Sequence, residues 1–336
     1  MGPMQLRKLD ALITAHWPET PVASTPELVG GGLGDRVLTA GVRNRKLLRL
    51  RRGAYVRMDQ WRRSKPWEQD LLRIQAHHCS TLGGSIYSHV SAARLHGCQE
   101  WEGGPLVHVT TPFSPAKASS GSDVAAHAGC LLPDEIVQVQ TPWQRPAQTT
   151  SLERTVVDCA RTLDFERAVV IADHALRLGA DPRKMQDYLD NGRITRGTRR
   201  LRRVLEFMDA RSESVGETRT RVLLDKLGIV GAVLQLDVAT PLGNYRGHFG
   251  WEQQKVILEF DGRAKYFEYA ATEDVIFEER RREKAMQAQG WKVVRIEWDD
   301  LSRPWDVDRK LREALDLRVE RRKPAVPLLG SNGTAG

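Results

Sequence analysis

The chain has 336 residues, 40% of them hydrophobic and 28% charged, with a formal net charge of +8. That length predicts two or three globular domains. The composition excludes a chain built of membrane spans, because no apolar run reaches the roughly 18 residues a spanning helix needs.

Residues 1–17 carry charges where a signal peptide needs an apolar centre, so a soluble, cytoplasmic protein with no membrane partner is expected. Cys79, Cys98, Cys130 and Cys159 are widely spaced, without a C-x-x-C pair. They read as free thiols in a reducing compartment rather than as a zinc site or a disulfide framework. Fifty-one Lys plus Arg stand against 43 Asp plus Glu, a surplus that favours polyanionic partners.

In chain order, residues 4–15 space Leu6, Leu9, Leu12 and Ile13 as a helix does, and Pro18 and Pro21 end it. A Gly-rich interruption at 30–34 leads to Arg36–Leu50, where Val37, Leu38, Val42, Leu47, Leu48 and Leu50 supply buried faces around Gly41. Arg51–Arg52–Gly53 reads as a turn, and Ala54–Arg57 alternates as a strand. Between Arg36 and Lys65 stand eleven basic residues and a single acid, Asp59. Solvated faces usually mix signs, so this run points to phosphate contact through Arg43, Arg45, Lys46, Arg49, Arg51, Arg52 and Arg57. A second cluster, Arg193–Arg203, holds six arginines and suits a solvated face equally well.

Helix, turn, basic helix and basic hairpin is the build of a winged helix-turn-helix, which lays one helix in the major groove while the wing touches phosphates. A small structural helical subdomain has the same periodicity. The phrase Gly41-Val-Arg-Asn-Arg-Lys-Leu-Leu-Arg-Leu-Arg-Arg-Gly53-Ala-Tyr55-Val resembles the N-terminal winged helix of AbiEi-type antitoxins, from type IV toxin-antitoxin systems. Ser88-His89-Val90-Ser91-Ala92-Ala93-Arg94-Leu95-His96-Gly97 and Val107-His108-Val109-Thr110 are similar to the middle region of actinobacterial members. The resemblance implies DNA and a cognate toxin protein as partners. The recognition helix is shorter here than in that family.

The middle region, 67–210, reads as mixed α/β. Helices are expected over Trp67–Cys79, Tyr87–Leu95, Ser151–Arg161 and Phe165–Leu178, with more running to Met208, a strand over Leu106–Thr110, and a loop over Thr111–Ser122. His77, His78, His89, His96, His108 and His127 lack helical ligand spacing with an acidic partner, so they read as structural histidines.

The last third orders its elements as α-β-β-β-α-β: helix Thr218–Leu227, strands Val233–Ala239, Tyr245–Trp251 and Lys255–Phe260, helix Glu273–Gln289, strand Trp291–Trp298. That order resembles the restriction-endonuclease-like core of PD-(D/E)XK nucleases. The wording Val256-Ile-Leu-Glu259-Phe-Asp261-Gly262-Arg263-Ala-Lys265-Tyr266 is similar to a Vsr-like domain of that class. By that resemblance Glu217 is the helix acid, Glu259 and Asp261 the strand acids, and Lys265 the basic residue after the motif. Where the family has Arg-Val-Asp-Phe, this chain has Arg246-Gly247-His248-Phe249, so His248 takes the place of a metal-binding Asp. Glu259, Asp261 and His248 are the candidate metal ligands, for Mg²⁺ or Mn²⁺ if the site is active; no other cofactor is implied. Mg²⁺ prefers oxygen, so its affinity is expected to fall. As an alternative, Glu259 and Asp261 satisfy backbone N–H groups or pair with Arg280–Arg282.

The expected architecture is α+β and multidomain: a winged helix over 1–66, a mixed middle over 67–210, a PD-(D/E)XK core over 211–317 and a disordered tail over 318–336. The expected function is a DNA-binding, antitoxin-like regulator with a degenerate nuclease-like domain. A metal-dependent endonuclease and a toxin-neutralising protein with little DNA contact are the alternatives.

Overall fold

The computed structural model describes residues 2–113, 122–262, 281 and 283–317. The chain is α+β and divides into two compact units, 1–218 and 219–336.

The first unit begins with α1 (Pro3–His16), β1 (Val22–Ser24), α2 (Thr25–Gly30), α3 (Asp35–Arg43), β2 (Leu47–Arg51) and β3 (Ala54–Arg57). Ser24 and Glu27 start α2 as a reciprocal cap: Glu27 accepts from Ser24 N at 2.8 Å, and Ser24 Oγ accepts from Glu27 N. The three strands form an antiparallel sheet in the order β1-β3-β2. Leu9, Ile13, Leu28, Leu33, Leu38 and Leu47 make the core between helices and sheet. Gly41 is required there: a Cβ would stand 2.9 Å from Leu47 Cδ1 and 3.3 Å from Ile13 Cδ1. The turn that joins β2 to β3 contains Gly53 at φ +80°.

After α4 (Met58–Arg63), the long helix α5 (Pro66–Ser80) serves two cores. Leu72 and Ala76 pack with Val22, Ala54 and Val56 of the first sheet, while Ile74 packs with Tyr87, Val107 and Val109 of the second. Residues 1–66 and 67–210 lie within one compact unit.

The second sheet is mixed, in the order β6-β5-β4-β8-β7, from β4 (Ile86–Tyr87), β5 (Val107–Thr111), β6 (Val124–Ala128), β7 (Ile136–Gln140) and β8 (Pro146–Thr150). The expected helix over Tyr87–Leu95 is instead strand β4, a break at Ser88 and helix α6 (His89–Leu95). Tyr87 is fully buried in the sheet, and that burial overrides the helical spacing of its neighbours. Helices α7 (Leu152–Thr162), α8 (Phe165–Arg177), α9 (Pro182–Asp190) and α10 (Thr198–Phe207) follow. Ser151, Asp164 and Asp181 cap the first three through their side-chain oxygens. The six arginines of 193–203 are partly absorbed: Arg193 pairs with buried Glu135 at 3.0 Å, and Arg203 lies over the Phe165 ring.

Helix α11 (Val215–Leu227) runs across the division between the units. The second unit contains β9 (Val233–Thr240), β10 (Gly243–Trp251), β11 (Val256–Phe260), β12 (Lys292–Ile296), α12 (Trp298–Leu301) and α13 (Pro304–Ala314). Its sheet order is β12-β11-β10-β9, with β11 and β12 parallel and the other neighbours antiparallel. All five residues of β11 are buried, as its apolar run and inner position require. Of the expected helix Glu273–Gln289, residues 281 and 283–288 are helical and the rest lie outside the described residues. So do Lys265, Arg280, Arg282 and the tail 318–336. Among the described residues, no helix is long and apolar enough to cross a membrane.

Candidate functional site

Strands β10 and β11 pair with Phe249 opposite Leu258, which carries His248 and Glu259 to neighbouring places across the pair. Gly247 makes the approach close. A Cβ there would stand 2.7 Å from Ile257 Cγ2 and 3.4 Å from Glu259 Oε1. Strand β12 runs parallel on the other side and sets Arg295 opposite Glu259.

Glu259 is buried and has several donors around it. Tyr245 Oη donates to Oε1 at 2.9 Å, the backbone N–H of His248 approaches Oε1 at 3.4 Å, and Oε2 lies 3.0 Å from His248 Nδ1. The same Nδ1 is 3.1 Å from the backbone N of Phe260. One nitrogen cannot serve both neighbours: protonated it donates to Glu259, and deprotonated it accepts from Phe260. The imidazole at position 248 therefore acts as a tautomer-dependent partner of the carboxylate.

Asp261 follows the strand end, its backbone N–H bound to Ile296 O at 2.8 Å. Its carboxylate is 3.8 Å from Arg295 Nη1, and Arg295 Nη2 reaches Glu283 at 2.9 Å. One arginine beside Asp261 thus comes from β12. Of the anticipated partners Arg280–Arg282, only Arg281 lies among the described residues.

Glu217 caps its own helix. Its carboxylate accepts from Glu213 N at 3.0 Å and from Ser214 Oγ at 2.8 Å, and its side chain is buried in the first unit. This is a capping role at the start of α11. Mg²⁺ needs oxygen ligands in octahedral geometry. Here Glu259 already accepts from Tyr245, Asp261 faces a guanidinium, and the third group is an imidazole, a set that does not fit Mg²⁺.

The basic residues of the N-terminal segment fall into two groups. Arg43, Arg45, Arg49 and Arg52 are exposed. Lys46, Arg51 and Arg57 form ion pairs with Asp10 at 3.2 Å, Asp123 at 3.1 Å and Asp59 at 3.0 Å. The partners of Lys46 and Arg51 are remote in sequence, so the charge run alone gave no sign of them. One residue beyond the expected set joins the first group: Arg36 is exposed on α3, one helical face with Thr39, Ala40 and Arg43. These four, with Asp35 and Asn44, line a shallow recess of about 480 Å³.

The six histidines are not all isolated. His89, His108 and His127 converge, with ligand nitrogens within 4.8 Å of one another. No local spacing announced this, because each sits on a different element.

Fold and site together define an α+β chain with a basic N-terminal face and a carboxylate–imidazole pair at the centre of a C-terminal mixed sheet. No family model matches it. It is similar to the uncharacterized proteins MT2308 and Rv2248 of two Mycobacterium tuberculosis strains, 26% identical over 269 residues in each case, or 79% of this chain and 91% of theirs. Among solved structures it is similar to the RV2827C protein of Mycobacterium tuberculosis. That likeness has a TM-score of 0.42 at 15% identity and covers 72% of this chain and 90% of the other.

Proposed function

We propose that the chain is a DNA-binding regulator of the antitoxin type, and that its C-terminal unit has a nuclease-like fold without nuclease activity. The observation that carries the reading is α3. Within the order α1-β1-α2-α3-β2-β3, the order of a winged helix, it presents Arg36 and Arg43 to solvent beside a hairpin with Arg49 and Arg52 exposed. Such a surface sets one helix against base edges and a wing against phosphates. Binding of the purified chain to its own upstream DNA and to random duplex, at physiological salt, tests this. The reading predicts tighter binding to the upstream duplex; equal affinity for both counts against regulation.

The C-terminal reading draws on the order of α11, β9, β10, β11 and β12, on the sheet order β12-β11-β10-β9, and on the Glu259–Asp261 motif. His248 and Tyr245 occupy Glu259, and this supports a site that has given up Mg²⁺. A metal-dependent endonuclease is the second reading. It is favoured by a carboxylate and an imidazole on adjacent strands, with Arg295 nearby to offset phosphate charge. In that reading Mn²⁺ replaces Mg²⁺, and Lys265 is the basic residue that offsets charge on the phosphate. Incubation of supercoiled, mismatched and single-stranded DNA with each ion separates the two: metal-dependent products that vanish in Glu259→Ala establish the enzyme. A cytoplasmic location and a cognate toxin belong to the same proposal. Co-purification with the product of a neighbouring gene tests the toxin.

A further inference from the structure

His89, His108 and His127 lie in the first unit, apart from the basic face and the carboxylate–imidazole pair. His108 is on β5 and His127 on the adjacent parallel strand β6, two positions further along the register. His89 is the first residue of α6. Two hydrogen bonds tie the start of α6 to β5 at one residue: Ser88 N donates to His108 O at 3.1 Å, and His108 N donates to Ser91 Oγ at 2.8 Å. The ring of His89 is thereby held against the other two, its centroid 3.6 Å from that of His127 and 5.8 Å from that of His108.

Three features are unusual for plain core histidines. First, His108 Nδ1 and His127 Nε2 are 2.9 Å apart, so one ring donates to the other instead of to a carboxylate or a carbonyl. Second, His89 has φ +51°, in the left-handed region that non-glycine residues adopt uncommonly. Third, the nitrogens of all three converge within 4.8 Å. A tetrahedral ion at about 2.0–2.1 Å from each nitrogen needs them about 3.3 Å apart. Closing that difference requires the His89 ring to turn out of its stack on His127, and its Nδ1, if it is the ligating atom, to leave Ser88 Oγ, 3.0 Å away.

We propose that His89, His108 and His127 form a binding site for a divalent transition-metal ion, Zn²⁺ in the first instance, with three imidazole ligands and a fourth position for water or another donor. Imidazole selects Zn²⁺ over Mg²⁺ or Ca²⁺, and three protein ligands with one open position is the arrangement of a Lewis-acid site. Burial holds the three rings neutral, the form that ligates, with His108 lowered to about 4. When the ion enters, the proton between His108 and His127 moves to the far nitrogen of the ring that bears it, so binding at neutral pH need release none. Arg94 and Arg154 stand near the rings, but each is paired with two acids, Asp70 and Glu100 for the first and Glu135 and Asp158 for the second. Asp158 is shared with Arg161 and Glu135 with Arg193, so the acids offset the positive charge near the rings only in part.

The test uses the full chain, stripped with a chelator and titrated with Zn²⁺ against a chromophoric competitor, then examined by zinc-edge X-ray absorption. One equivalent bound, with three imidazole nitrogens at about 2.0–2.1 Å, is expected. His127→Gln should weaken that binding by more than the roughly ten- to hundredfold that loss of a supporting residue costs. His96→Gln should leave it unchanged, with circular dichroism confirming that both variants are folded. No stoichiometric binding, a sulfur shell, or fewer than two imidazoles in the unaltered protein would overturn the proposal, and so would unchanged affinity in a folded His127→Gln. The absorption measurement needs no variant, so it decides even if His127→Gln fails to fold.

Discussion

His248 Nδ1 lies 3.0 Å from Glu259 Oε2 and 3.1 Å from the Phe260 backbone N, so one imidazole nitrogen stands between a carboxylate that wants its proton and an amide that wants its lone pair. This relationship puts an internal partner where a metal-binding carboxylate is expected.

His248→Asp exchanges that partner for a second carboxylate beside Glu259. Two like charges at this separation repel unless a cation joins them, so the variant should bind Mg²⁺ while the parent does not. Calorimetric titration with Mg²⁺ checks the binding, and nicking of supercoiled DNA shows whether the rest of the site is competent. Equal Mg²⁺ affinity in both proteins would mean that His248 is not what excludes the ion.

Gly41→Val overfills the junction of α1, α3 and β2. Leu47 and Ile13 are buried and have little room to yield, so the variant should lose about 1–3 kcal/mol in urea unfolding. DNA affinity should fall with it, because α3 is displaced. An unchanged unfolding midpoint would contradict the packing described for this core.

Acid should weaken the first unit. His77 is buried, and its pKa is lowered to about 4, chiefly by burial and then by the charges of Arg51 and His78. Unfolded, it titrates near 6.5 and gains a proton that the folded form refuses. Stability is therefore full above about pH 6.5 and lost as pH falls toward 4, by on the order of 3 kcal/mol for this residue. Urea midpoints at pH 7 and pH 5 should show the decline, and His77→Gln should make it smaller, while His89, His108 and His127, also held neutral by burial, keep their share.

Much of the architecture was legible because it is written in local chemistry. Gly41 and Gly53 mark a close contact and a turn, Ser151 caps its helix as read, and the unbroken apolar run Val256–Phe260 marks an inner strand. Strands β6 and β8 were not legible: Val124–Ala128 and Pro146–Thr150 are short and rich in Ala, Thr and Gln, and sheet pairing rather than side-chain preference makes them strands. At the sites, residue types were readable and their partners were not. Lys46 and Arg51 are held by Asp10 and Asp123, and Glu217 by Ser214 and the Glu213 backbone. The His89–His108–His127 cluster joins a helix start and two strands, a meeting that only the tertiary fold produces.

The salt dependence of binding to the upstream duplex, measured by fluorescence anisotropy for the parent and for Arg36→Ala/Arg43→Ala, tests the central claim most directly. Each phosphate contact contributes about −0.9 to the slope of log affinity against log salt. The account predicts a steep slope for the parent and one shallower by up to about two units in the double variant, with weaker binding at every salt concentration. A flat slope in the parent, or identical curves for the two proteins, would contradict it.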